Sequence, residues 1–256
     1  MKVVLLAGGL GTRLAEETSA RPKPLVEIGD EPILWHIMKI FSAQGFREFI
    51  ICAGYKGHMI KDYFVHYQMR HSSITVHMET GRVQVEASAS EPWIVTIVDT
   101  GEMTMTGGRI KRILPYLGDD REFLMTYGDG VGDVDLAALL AQHRASGRLA
   151  TVTGAQPPGR FGQLRIEGDA VTSFAEKPPD EGGWISAGFF VLPRSIGEYI
   201  GGDATTLERE PLERLAAEGQ LGVYRHQGFW LPMDSLRDRN TLEALWRSGK
   251  PPWIVW

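Results

Sequence analysis

A short apolar run, Val3-Val4-Leu5-Leu6, passes directly into Ala7-Gly8-Gly9-Leu10-Gly11-Thr12-Arg13-Leu14, and Pro22-Lys23-Pro24-Leu25 follows soon after. Glycines placed just after a buried strand let the backbone approach a ligand closely and aim several N–H groups at one point, an arrangement suited to polyphosphate. Arg13 can fork onto phosphate oxygens, and Lys23, held between two prolines, offers them a point charge. A Walker loop is excluded, because it needs Gly-Lys-Ser/Thr where this chain has Gly11-Thr12-Arg13. A dinucleotide fingerprint fits poorly, since its third glycine would fall on Leu14. A Gly-rich turn used only for packing would not need two converging cations.

Strand-like and helix-like segments alternate along the chain, which predicts an α/β fold: a Rossmann-like, mainly parallel mixed sheet with helices on both faces. Apolar positions 33, 34, 37, 38 and 41 have helical spacing, Phe49-Ile50-Ile51-Cys52-Ala53 reads as a buried strand, and a helix is expected from 57 to about 67. Thr106-Gly107-Gly108-Arg109 leads into another helix, Phe123 to Tyr127 is a further central strand, and Val134 to Ser146 is helical in pattern. Residues 150–191 read mostly as strands, and helices are expected near 207–217 and 235–248. The whole chain, 1–256, is read as a single domain with a small β excursion or oligomer contact over 72–105 and a C-terminal helix and tail over 229–256.

Composition removes several classes of function. The chain has 256 residues, 43% of them apolar, enough for a large core. It carries 32 acidic against 27 basic side chains with no basic run, so the footprint of nucleic-acid binding is missing. No apolar stretch approaches a membrane span of roughly 18 residues and no secretory signal opens the chain, so a cytoplasmic protein with no membrane association is expected. Cys52 is the only cysteine, which excludes an intrachain disulfide and Cys-based zinc sites.

Tyr127-Gly128-Asp129-Gly130 ends an apolar strand, and in an open α/β sheet ligands bind beyond the carboxyl ends of the strands. Asp129 should therefore share a rim with the Gly8 to Arg13 loop. A carboxylate beside a polyphosphate implies a metal, and Mg²⁺ takes one or two carboxylates with phosphate oxygens and water. Asp234 stands before a helix, where it can be either a second metal ligand or an N-cap. Glu176-Lys177-Pro178 leaves a strand into a proline-stiffened loop, and by itself such a pair is more often a solvated edge than a ligand clamp.

Together these segments resemble the motif set of the sugar-phosphate nucleotidylyltransferases. Pro32-Ile33-Leu34-Trp35-His36-Ile37-Met38-Lys39, Met105-Thr106-Gly107-Gly108-Arg109, Pro158-Gly159-Arg160-Phe161-Gly162 and Pro232-Met233-Asp234 resemble the cytidylyltransferase branch in particular, over nearly the whole chain. The resemblance implies transfer of CMP from CTP to α-D-glucose 1-phosphate with Mg²⁺, giving CDP-glucose and pyrophosphate. It implies that Leu6, Ala7, Gly8, Gly9, Leu10, Gly11, Thr12 and Arg13, with Lys23, Thr104, Arg109 and Gly128, meet the nucleotide. Arg13, Lys23, Asp129 and Asp234 would carry the catalysis, with Asp129 and Asp234 on the metal. Glu176, Lys177, Ser186 and Gly188 would meet the sugar phosphate.

One departure bears on the sugar: the branch usually reads Asn-Gly-Gly-Phe-Phe where this chain has Ser186-Ala187-Gly188-Phe189-Phe190. UTP or dTTP in place of CTP, a different hexose 1-phosphate, and a catalytically silent nucleotide-sugar binder stay open as alternatives. A homo-oligomer is expected from the family, of unspecified number.

Overall fold

A computed structural model describes residues 1–86, 90–156 and 183–256, together with the backbone of two strands, Gly162–Glu167 and Ala170–Glu176. Seven strands form the central sheet: β1 (Val3–Leu6), β2 (Glu48–Ala53), β3 (Ile94–Asp99), β4 (Glu122–Tyr127), β5 (Ala150–Ala155), β6 (Ile185–Pro193) and β7 (Leu221–His226), in the spatial order β7-β5-β6-β4-β1-β2-β3. Only β6 runs against the others, pairing antiparallel with both β4 and β5. The predicted mainly parallel mixed sheet is therefore present.

Alternation along β1 explains why its sequence is uniformly apolar. Val3 and Leu5 enter one core and Val4 and Leu6 the other, all four at 8% exposure or less, because helices cover both sides. The first core takes Leu34, Ile37, Met38 and Phe41 from α1 (Ile33–Ala43), Ile60 and Tyr63 from α2 (Gly57–Val65), and Leu139 from α4 (Leu136–Ser146). The second takes Ile110 and Ile113 from α3 (Thr106–Ile113) and Leu215 from α5 (Glu210–Ala217). Two further elements, α6 (Leu236–Arg247) and the C-terminal tail, add Leu242 and Trp253 to the first core.

The expected β excursion is shorter than its sequence boundaries. Ile74–His77 and Arg82–Val85 form a separate exposed hairpin, whereas Ile94–Asp99 rejoins the central sheet beside β2 as its edge strand. The break at Glu91-Pro92 marks the return of the chain to the sheet; the β-branched run after it then pairs in parallel register from Ile94↔Glu48 to Asp99↔Ala53.

Register places the functional loops. Leu6 lies opposite Cys52 on one side and Tyr127 on the other, so β1, β2 and β4 end together. The Gly8 loop, the 54–57 turn, the 100–105 segment and Gly128-Asp129 consequently gather on one rim.

Candidate active site

The two neighbouring strands hold the start of the Gly loop from both sides: Ala7 N donates to Cys52 O (3.1 Å) and Gly128 N donates to Leu6 O (3.0 Å). Further on, Gly8 O accepts from Tyr55 N (3.1 Å) and from Arg109 Nη2 (3.0 Å). Gly11, with φ +64°, turns the chain into the 3-10 turn Thr12–Leu14, and its carbonyl accepts from Leu14 N (2.9 Å) and Thr18 Oγ1 (3.1 Å). The carbonyls of Leu6, Gly8 and Gly11 are thereby turned into the protein. Gly9 differs from its neighbours, because a side chain there would meet no protein atom within 4 Å. Its openness leaves room for close approach from the cleft.

Arg109 is the bracket behind this loop. Its guanidinium is buried, donating from Nη1 to Thr100 Oγ1 (2.7 Å) and Gly101 O (2.8 Å), and from Nη2 to Glu102 O (3.0 Å) besides Gly8 O. Burial holds its pKa below the usual guanidinium value. A Cβ on Gly8 would overlap this guanidinium, and one on Gly54 would fall 2.6 Å from Gly8 O. Arg109 still lines the cleft, but its Nη atoms are already engaged by the protein.

Four charges meet at the open side of the loop. Lys23, 7% exposed, donates from Nζ to Asp129 Oδ2 (2.7 Å) and Asp234 Oδ1 (2.8 Å), while Arg13 Nη1 donates to Asp234 Oδ2 (2.8 Å). Two cations thus balance two carboxylates, which a partly buried cluster of this kind requires. The short strand Trp230–Pro232 pairs with Gly130–Gly132, and Met233 N donates to Asp129 O (2.8 Å), so two distant segments are zipped together with their aspartates at one end. The N-cap alternative for Asp234 does not hold. Ser235 caps α6, its Oγ accepting from Asp238 N (3.3 Å) while Asp238 Oδ2 accepts from Ser235 N (2.9 Å). Asp234 is left free to face Lys23 and Arg13.

Arg13, Lys23 and Asp129 open on a cleft of about 370 Å³ lined also by the Gly loop, Pro24, Thr104 to Thr106, Arg109, Tyr127 and Gly128. Its walls are glycine-dependent elsewhere too: a Cβ on Gly128 would stand 3.1 Å from Leu6 O, and Gly188, at φ +83°, leaves room for the Tyr127 ring. Ser186 is exposed on β6, opposite Gly154. Lys177, residues 158–161 and the side chain of Glu176 lie outside the described residues. Thr106, Tyr127 and the exposed Glu208 also meet at the cleft wall; Thr106 and Tyr127 belong to segments the sequence singles out, whereas nothing in the local sequence marks Glu208. Among the described residues no group of three or more His, Cys, Asp or Glu side chains is arranged to hold a metal.

The amino-acid sequence matches the family model described as "Nucleotidyl transferase" over residues 2–217, and the chain belongs to that family. Along their full lengths, the chain is 55% identical to the glucose-1-phosphate cytidylyltransferase of Salmonella typhi and 44% identical to the probable glucose-1-phosphate cytidylyltransferase of Bacillus subtilis. Among solved structures, HddC from Yersinia pseudotuberculosis superposes with a TM-score of 0.72 at 24% identity, covering 96% of this chain and 99% of that one. A UDP-glucose pyrophosphorylase complexed with UDP-glucose superposes at 0.69 and 16% identity, covering 97% and 99%; these two likenesses concern the fold.

Proposed function

We propose that the chain transfers CMP from CTP to α-D-glucose 1-phosphate, releasing pyrophosphate and forming CDP-glucose. The full-length 55% identity to a glucose-1-phosphate cytidylyltransferase carries this reading, and the convergence of Arg13, Lys23, Asp129 and Asp234 beside the Gly loop supports the chemistry.

In this reading the sugar-phosphate oxygen attacks the α-phosphorus in line and pyrophosphate leaves on the far side, with catalysis by positioning and electrostatic stabilisation. Arg13, 73% exposed at its side chain, can swing from Asp234 to the departing pyrophosphate, and Lys23 can exchange a carboxylate for phosphate oxygens near the reacting centre. No general base is required, because the second ionisation of a phosphate monoester lies near pH 6, at about the value for phosphorylated side chains. The backbone acceptor for the 4-amino group of cytosine would come from loop carbonyls other than those of Leu6, Gly8 and Gly11, which already have donors. Thr104 and Arg109 would flank the base, with Gly128 near the ribose; Glu176, Lys177, Ser186 and Gly188 would meet the sugar phosphate.

Mg²⁺ fits the donor set: two carboxylates close enough to share one ammonium, with remaining positions left to phosphate oxygens and water. Asp129 and Asp234 would hold it, and when bound it would make the α-phosphorus more electrophilic and offset anion repulsion. We read the chain as one catalytic domain of a cytoplasmic homo-oligomer. The exposed hairpin face of Ile74, Val76, Val83 and Val85 supports the last point, and among the described residues no helix is long and apolar enough to cross a membrane.

Pyrophosphate release measured across four nucleoside triphosphates and a panel of sugar 1-phosphates tests the assignment. CTP with glucose 1-phosphate should exceed every other pair in kcat/KM by at least about tenfold. No release with that pair, against release with another, would overturn it.

The Arg109 bracket adds a sharper expectation. Gly8→Ala forces the loop or the guanidinium to move, and a displacement near 1 Å should lower kcat/KM for CTP by about a hundredfold. A value within threefold of the parent, by the same assay, would show that the bracket yields without moving the loop.

A further inference from the structure

Glu208 joins two walls of the cleft. It is exposed and precedes α5, outside every segment to which the proposed reaction assigns a role. Its Oε1 accepts the Tyr127 hydroxyl, at the end of β4, and its Oε2 accepts Thr106 Oγ1 (2.6 Å), at the start of α3. The Thr106 hydroxyl is fully oriented, since it also accepts from Leu207 N (2.9 Å). Both partners line the cleft.

With its hydroxyl tied to Glu208, the Tyr127 ring is fixed in place. One edge lies against Gly188, where a Cβ would stand 2.5 Å from Tyr127 Cδ2, and the ring meets Phe190 edge-on at 6.3 Å between centroids. Tyr127 is also two residues before Asp129 in the chain, and Gly188 two residues after Ser186. The ring therefore packs against the strand that carries the chain's departure from the family pattern.

We propose that Glu208 is a positioning residue for the sugar-phosphate end of the cleft, setting the place of the Tyr127 ring and hence which hexose 1-phosphate fits. The inference rests on the proposed nucleotidyl transfer and adds a specificity determinant to it. An exposed carboxylate with hydroxyl partners contributes little to folding stability, so its removal should act on recognition.

Glu208→Ala, Glu208→Gln, Tyr127→Phe and the Glu208→Ala/Tyr127→Phe double variant separate the possibilities. KM for the sugar 1-phosphate should rise about tenfold in Glu208→Ala and in Tyr127→Phe, with KM for CTP within about twofold of the parent. Glu208→Gln, which keeps an acceptor oxygen, should recover most of the loss. The double variant should be no worse than Glu208→Ala, because that substitution already breaks the Tyr127 contact along with the Thr106 one. An unchanged sugar KM, equal rises in both KM values together with a lowered Tm, or effects that multiply in the double variant would each overturn the proposal. Parent turnover with glucose 1-phosphate tests the reaction itself. The variant-to-parent ratio, measured on whichever sugar 1-phosphate the parent uses fastest, tests Glu208, so the two readings fail separately.

Discussion

Asparagine in place of Asp129 should lower turnover by roughly three orders of magnitude while nucleotide binding persists. The substitution keeps the shape of the side chain and removes one of the two carboxylates that share Lys23 Nζ, at 2.7 Å. The backbone has its own anchor, because Asp129 O accepts from Met233 N (2.8 Å) and Gly130–Gly132 pairs with Trp230–Pro232. The strand pair that presents Asp234 should therefore survive. What changes is charge: Lys23 loses one counter-ion, and the pair proposed to hold the metal loses half its negative charge. CTP should still bind, held by the Gly loop and by cations now less neutralised. Calorimetric titration with CTP and pyrophosphate release measure the two halves, and turnover within tenfold of the parent would remove Asp129 from the metal-ligand role.

Trp253→Ala should cost about 3–5 kcal/mol of folding stability, the range for deleting a fully buried large aromatic. Trp253 has no exposed surface, stacks on Phe229 at 5.8 Å and meets His36 edge-on at 6.0 Å between centroids. Through Phe229 the tail reaches the site. Phe229 O accepts from Asp133 N (3.1 Å), just beyond the strand pair that holds Asp129 and Asp234 together. Chemical denaturation measures the loss, and a change under about 1 kcal/mol would show that the tail docks without supporting the core.

The same contact carries a pH dependence. His36 Nε2–H donates to Ile28 O (2.9 Å), which leaves Nδ1 to accept from Trp253 Nε1 (3.4 Å) and requires the neutral ring. Burial lowers the His36 pKa from its ordinary 6.5, so on acidification the unfolded chain takes the proton first. This contribution is complete above about pH 6.5 and is lost as pH falls through the lower folded value. His71 has the opposite sign. Its burial disfavours charge, but the Tyr67 carbonyl (2.7 Å) and Glu31 carboxylate (2.7 Å) on its two nitrogens raise its pKa, so its contribution fades as pH rises through that value. Replacing His36 with Gln should flatten the acid side of the stability curve alone.

Local pattern was enough to read the sheet and most of its ligand rim. Val3-Val4-Leu5-Leu6 had to be buried on both faces, a Gly-rich loop had to follow it, and the strand ending at Tyr127 had to deliver Asp129 to the same side. The 94–99 strand was partly hidden by the Glu91-Pro92 break, since a proline that interrupts an excursion looks the same locally as one that breaks a strand.

The amino-acid sequence by itself determined which residues could carry phosphate and metal chemistry, because that depends on residue type and on position beside a strand or helix. Only the tertiary structure decided how they combine. Lys23 meets Asp129 across 106 residues and Asp234 across 211, the Ser235–Asp238 capping box frees Asp234, Arg109 turns inward to pin Gly8, and Glu208 ties Tyr127 to Thr106. Each of these pairings is set by strand register and packing between segments far apart in the chain, and no local spacing encodes them.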